Sequence, residues 1–81
     1  MARINHERRS KRQLQRAMLL KAKLLENGII FADVAKELGM DKASITKFAY
    51  GDFQYKNSRV RTWVEEKLGV LFMEELDRMV A

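Results

Sequence analysis

The chain has 81 residues, a net charge of +5 and a composition that is 47% hydrophobic and 33% charged. This length fits one small domain, and the absence of cysteine excludes disulfide bridges and thiolate metal sites. His6 is the only histidine, so a zinc site would need Asp and Glu for nearly all its ligands. The chain is therefore expected to bind no metal and no other cofactor. The absence of proline and the presence of only four glycines favour helices joined by short turns over a β-sandwich.

Apolar runs such as Gly28–Ala32 are far shorter than the roughly 18 residues of a membrane span. The amino terminus also lacks the apolar segment of a secretory signal, so we expect an intracellular protein. The charge is uneven, at +7 over residues 1–23, +1 over 24–64 and −3 over 65–81. Nucleic acid is the commonest partner for such a basic end. On charge alone, the alternative is that these basic residues form a solvated helix face without a nucleic-acid partner.

Residues 1–9 are interpreted as a flexible basic arm, and a first helix is predicted from a Ser10 cap to Asn27-Gly28. Helical spacing predicts an inward apolar stripe made of Leu14, Met18, Ala22 and Leu25, widened by Ala17, Leu20 and Leu24. The basic residues fall mostly off this stripe and predict a cationic outer surface, formed by Lys11, Arg12, Arg16 and Lys23.

Two short helices are predicted next, over residues 31–38 and 42–50, with Gly39 between them and Asp41 as the cap of the second. Their inward residues are expected to be Phe31, Val34, Ala35 and Leu38, followed by Ile45, Phe48 and Ala49. The segment 53–56 is predicted to be a loop, although its alternation of aromatic and polar residues also permits a brief strand.

A fourth helix is predicted from Asn57 or Ser58 to about Leu68, and a fifth from Leu71 to Val80. The fourth is expected to bury four residues: Val60, Trp63, Val64 and Leu68. The stripe of the fifth either closes the core or forms a dimer contact. We expect Phe72 and Leu76 in the core, and Met79 and Val80 in a homodimer through this C-terminal helix.

The most informative pattern is a small residue, Ala35, followed by Gly39 four positions later and by Ile45 ten positions later. A small residue lets the next helix approach closely, the glycine supplies a positive φ for a sharp turn, and the β-branched residue locks the second helix. This combination predicts a helix-turn-helix, although another compact helical hairpin could use it.

The stretch 35–47 resembles the helix-turn-helix of the Cro and lambda-repressor family of phage repressors. The chain from about Leu19 to Leu76 also resembles the Ner-type regulators of Mu-like transposable phages. That resemblance rests on Ala32–Gly39, which reads A-D-V-A-K-E-L-G, on the aromatic loop after residue 50, and on the Leu68-Gly69-Val70 ending of the next helix.

The resemblance implies an all-α, compact, four- to five-helix lambda-repressor-like domain over residues 10–81. It implies a sequence-specific, double-stranded DNA-binding transcriptional regulator, a phage-type repressor acting in the bacterial cytoplasm at the nucleoid. Its recognition helix, about residues 42–50, would lie in the major groove. The positions that point outward by wheel geometry also match the family's base-contacting positions: Lys42, Ala43, Thr46 and Lys47. The alternative is that these are simply solvent-facing side chains.

Contacts to phosphate are expected to outnumber contacts to bases. The candidates are Lys36, Ser44, Tyr50, Tyr55, Lys56, Asn57 and Arg59. Instead of contacting phosphate, Ser44 could cap its own helix locally. The aromatic residues Tyr50, Phe53 and Tyr55 could instead cover the core. The basic residues near the amino terminus form a third group, which either reaches into a minor groove or adds non-specific attraction to DNA. They are Arg8, Arg9, Lys11, Arg12 and Arg16.

Two other functions remain open at this point. The chain could be a DNA-binding accessory module of a phage transposition, recombination or packaging complex, or a protein-interaction module whose basic face meets an acidic partner. We expect neither an enzyme nor a small-molecule or membrane ligand, since the sequence has no glycine-rich phosphate loop and no nucleophile-base set.

Overall fold

The computed structural model describes residues 9–52 and 58–79, which form five α-helices and no strand. In chain order these are α1 (Lys11–Glu26), α2 (Phe31–Leu38), α3 (Lys42–Tyr50), α4 (Ser58–Leu68) and α5 (Val70–Arg78). The prediction of an all-α fold is confirmed. Within these ranges no helix is both long enough and apolar enough to span a bilayer.

The core lies where α3 packs against both α1 and α2, while α4 packs against α5 and α1 also touches α5. All five helices contribute buried apolar side chains to one cluster: Ala17, Leu20, Leu24, Val34, Ala35, Ile45, Phe48, Ala49, Val60, Trp63, Val64, Met73 and Leu76. The third helix is therefore held on its inner side by two neighbours.

The start of α1 follows the predicted cap. The Ser10 hydroxyl accepts from the Gln13 backbone N–H at 3.1 Å, and the Gln13 side chain accepts from the Ser10 backbone N–H at 2.9 Å. This reciprocal pair satisfies two donors that the first turn of a helix leaves without partners. The other end is also as predicted, with α1 ending at Glu26 and Gly28 at a φ of 71°.

The orientation of α1 differs from the prediction. Its inward face carries Ala17, Leu20 and Leu24, which confirms the three residues predicted to widen the stripe, whereas the four residues predicted as its centre lie on the outside. Leu14 is 45% exposed, Met18 69% and Leu25 54%, and Ala22 is also exposed. The prediction was wrong for those four residues because α1 has apolar residues along both sides, and periodicity alone cannot say which side meets the rest of the fold.

The prediction for Arg16 was also wrong, because this residue is buried rather than part of a cationic outer surface. Its Nε donates to the Leu76 carbonyl at 2.9 Å, and its Nη1 donates to the Ala49 carbonyl at 3.0 Å and to that of Phe48. Burial lowers the pKa of the Arg16 guanidinium, and the charge of Asp77 opposes that shift. One side chain thus joins the ends of α3 and α5 to α1.

The connection between α2 and α3 is three residues long. Gly39 ends α2 with a φ of 66°, and the Met40 N–H donates to the Ala35 carbonyl at 2.8 Å. Ala35 and Ile45 are both buried, as their roles in the turn pattern require. Asp41 occupies the N-cap of α3, but its side chain makes no capping hydrogen bond, so only the position of this predicted cap is confirmed.

Replacing Gly39 with alanine is expected to lower the free energy of unfolding by about 1 kcal/mol, because an L-residue is strained in the left-handed region. A Cβ at this position would meet no atom within 4 Å, so the effect is one of backbone strain alone. Urea denaturation measures it, and Gly39→Asn, which tolerates this conformation better, should lose less. Equal stability of the alanine variant would contradict the observed turn.

The C-terminal helices match most of the predicted core. Val60, Trp63 and Val64 are buried in α4, and Leu76 is buried in α5, while Leu68, Phe72 and Met79 are half-buried. The prediction missed Met73, which is buried, and among the described residues Leu71 is the most exposed large apolar side chain. The predicted dimer residue Val80 and the predicted loop at 53–56 lie outside the described residues, as does the arm from residue 1 to residue 8.

Candidate nucleic-acid interface

The outer side of α3 carries the residues that were predicted to contact bases. Lys42, Ala43 and Lys47 are exposed, and Thr46 is half-buried. The opposite side of the same helix is fixed in the core by Ile45, Phe48 and Ala49. The arrangement presents two ammonium groups, a methyl group and a hydroxyl on a rigid helix, and these groups can donate to or pack against the edges of base pairs.

The residues predicted to contact phosphate fall into different environments. Lys36 is exposed in the last turn of α2, and Ser44 is half-buried in the first turn of α3, where its backbone N–H donates to the Asp41 carbonyl at 3.0 Å. Arg59 is exposed at the start of α4, and its guanidinium donates to the Leu38 carbonyl. Three further candidates lie outside the described residues: Tyr55, Lys56 and Asn57.

Tyr50 and Arg9 form a small polar cluster at the end of α3. The Arg9 guanidinium carbon lies 4.0 Å from the centre of the Tyr50 ring, and its Nη2 is 2.9 Å from Asp52 Oδ2. Gln13 Nε2 donates to the other oxygen of Asp52 at 3.4 Å. Arg9 is therefore attached to the folded domain, which corrects its prediction as part of a flexible arm, and Tyr50 is half-buried beneath it.

Of the remaining cations predicted for the arm, Lys11 and Arg12 are exposed in the first turn of α1. Arg8 lies outside the described residues. Arg16 is removed from this group by its burial, because its donors are already used by three backbone carbonyls. The first turn of α1 thus offers two cations to a partner.

Sequence reasoning missed Lys21 as a candidate. Lys21 and Lys42 line one groove together with Ile30 and Phe31, which stand at the start of α2. The groove therefore extends from α1 to the beginning of α3, and two positively charged side chains line it. No sequence signal singled out Lys21, because its proximity to Lys42 is produced by the packing of α1 near the start of α2.

Two of the five acidic residues in the C-terminal part, Glu65 and Asp77, lie next to Arg61, while Glu66, Glu74 and Glu75 are exposed. Arg61 forms an ion pair with Asp77 and lies 3.9 Å from Glu65, and Lys67 lies 3.9 Å from Glu37. Across residues 9–52 and 58–79, no three histidine or acidic side chains are grouped so that they could hold a metal ion. The described polar features are thus charge pairs and an exposed basic helix.

No family model, curated protein or solved structure matches this chain.

Proposed function

We propose that this protein binds double-stranded DNA in a sequence-dependent manner, with α3 in the major groove, and acts as a transcriptional regulator of the phage-repressor type. The observation that carries the proposal is the two-sided character of α3. Its inner residues are fixed in the core, while Lys42, Ala43 and Lys47 project from a rigid helix into solvent. This is the arrangement by which a recognition helix reads base edges.

The exposed positive charges on α1 and α2 support the same proposal. Lys21 faces the same groove as Lys42, Lys36 is exposed at the end of α2, and Lys11 and Arg12 are exposed at the start of α1. Exposed cations around a helix are suited to the phosphate contacts that orient a protein on a duplex. The resemblance to lambda-repressor-like regulators agrees with this placement and adds the role of repressor, in the bacterial cytoplasm at the nucleoid.

Replacing Lys42 and Lys47 together with alanine is expected to weaken binding to a preferred duplex by about 100-fold. A good side-chain contact to a base edge contributes roughly 1–3 kcal/mol to discrimination between bases, and 1.4 kcal/mol corresponds to a factor of ten. The affinity is measured by fluorescence anisotropy on the duplex best retained from a random-sequence pool. Circular dichroism and thermal melting establish that the variant is folded.

A matched control removes two cations from the other end of the chain, Lys67→Ala with Arg78→Ala, and so lowers the net charge by the same amount. Non-specific attraction alone would be weakened equally in both double variants. Retention of full affinity by the α3 variant would overturn the assignment of α3 as the recognition helix. Absence of binding by the unaltered protein would leave a protein-interaction module as the better explanation.

A further inference from the structure

The outer side of α1 is an apolar stripe that nothing in the described fold covers. Leu14, Met18 and Leu25 are each about half exposed or more, and Ala22 lies exposed between them. Leu14, Met18, Lys21 and Leu25 follow one another at spacings of four, three and four residues. This is the spacing by which one helix presents a continuous seam to another helix.

The seam reads nearly the same in both directions along α1. When a second α1 is laid against it in the antiparallel direction, Leu14 of one copy faces Leu25 of the other. At the same time Met18 faces Ala22 and the aliphatic stem of Lys21. A face that is complementary to itself in this way is the requirement for a two-fold symmetric contact, because each residue pair then occurs twice.

The charges at the two ends of α1 favour the antiparallel arrangement. Lys11 stands one turn before Leu14, and Glu26 follows Leu25 directly and lies 3.8 Å from Lys23 in the same chain. An antiparallel pair brings Lys11 of one copy to the last turn of the other, where Glu26 and the negative end of the helix dipole are located. A parallel pair would instead set Lys11 against Lys11, Lys21 against Lys21 and Glu26 against Glu26.

We infer that the outer face of α1 binds the same face of a second copy of this chain and forms an antiparallel, two-fold symmetric dimer. The contact consists of one 16-residue helix from each copy. Such an interface is at the small end of specific protein interfaces, below about 1,200 Å² in total. We therefore expect reversible association in the micromolar range rather than an obligate dimer.

The dimer also has a consequence for DNA, and this consequence rests on the proposed function. The groove shared by Lys21 and Lys42 lies along one flank of the stripe. A two-fold axis through the antiparallel seam carries this flank of both copies to the same side of the dimer. Both α3 helices would then approach one duplex, and a duplex that contacts both copies would strengthen the association.

Cysteine cross-linking tests the inferred contact without DNA, so its failure is distinguishable from a failure of the proposed function. The chain has no cysteine, so Leu14→Cys and Leu25→Cys introduce one thiol each. Under mild oxidation, an equal mixture of the two variants is expected to give a cross-linked dimer in yields at least fivefold above either variant alone. Two copies of residue 14 would be about 16 Å apart in the antiparallel pair, too far for a disulfide.

Sedimentation velocity supplies an independent measurement of the same contact. The unaltered protein is expected to associate at micromolar concentration, and Met18→Lys, at the centre of the stripe, should weaken the association by at least tenfold. The matched control is Leu71→Lys, which alters a more exposed leucine on α5 and should leave association unchanged. Thermal melting at low concentration verifies that both variants are folded.

Three results would overturn the inference. The unaltered protein could remain a monomer at millimolar concentration, in which case another molecule covers the stripe. Leu14→Cys alone could cross-link as efficiently as the mixture, which requires a parallel pair. Leu71→Lys could abolish association while Met18→Lys does not, which would place the dimer contact on the C-terminal helix.

Discussion

Replacing Arg16 with methionine is expected to lower the free energy of unfolding by about 3 kcal/mol and Tm by more than about 10 °C. Methionine fills much of the same space but leaves the carbonyls of Phe48, Ala49 and Leu76 without the guanidinium. A buried acceptor that loses its partner costs about 1–3 kcal/mol. For 81 residues the total stability is only about 4–12 kcal/mol, so this is a large share of it.

The expected loss is smaller than three full hydrogen bonds because two of the carbonyls have a second donor. The Phe48 carbonyl also accepts from the Gly51 N–H at 3.0 Å, and the Leu76 carbonyl also accepts from the Met79 N–H at 3.2 Å. Removing a buried charge also relieves the desolvation that lowers the pKa of Arg16. These two effects limit the loss without cancelling it.

Urea denaturation of Arg16→Met beside Arg12→Met measures this effect, because Arg12 is an exposed arginine on the same helix. The control is expected to change stability by less than about 0.5 kcal/mol. Arg16→Lys should fall between the unaltered protein and Arg16→Met, since an ammonium keeps the charge but cannot reach three carbonyls in a fixed fork. Equal stability of the two methionine variants would mean that Arg16 is not buried between α3 and α5.

Leu20→Ala is expected to lower the free energy of unfolding by about 3 kcal/mol, within the usual range of 2–5 kcal/mol for a buried leucine. Leu14→Ala, on the same helix, should change it by less than about 0.5 kcal/mol. The reason is that Leu20 is 1% exposed in the core, whereas Leu14 is 45% exposed on the outer side of α1.

Thermal or urea denaturation at a concentration well below the micromolar range, where the inferred dimer is dissociated, compares the two leucine variants directly. The comparison tests the rotation of α1 about its own axis, since the substitution is identical and only the side of the helix differs. A larger loss for Leu14→Ala than for Leu20→Ala would mean that the apolar stripe predicted from the sequence faces the core after all.

Local signals were sufficient to predict the helices. Ser10 and Gly28 bound α1, and Gly39 separates α2 from α3 at the predicted residues, because a capping hydroxyl and a positive φ are properties of a few neighbouring residues. The inward residues of α3 were also predicted correctly, since only one side of that helix is apolar. The exposure of Lys42 and Lys47 follows from the same one-sided pattern.

The features that sequence could not provide depend on contacts between distant elements. Both sides of α1 are apolar, so the choice of inward side is made by how α3 and α5 pack against it. Arg16 is buried because the ends of those two helices present carbonyls that accept from its guanidinium, some thirty to sixty positions away along the chain. The proximity of Lys21 to Lys42 has the same origin.

Selection of bound duplexes from a random-sequence DNA pool, at near-physiological salt, tests the central claim most directly. If α3 reads base edges, the recovered duplexes will share a short enriched motif, and the Lys42→Ala, Lys47→Ala double variant will fail to enrich it. Two copies of the motif about 10 base pairs apart would further indicate a two-fold symmetric dimer on DNA. Retention of duplexes without any enriched sequence, or no retention at all, would contradict a sequence-reading regulator.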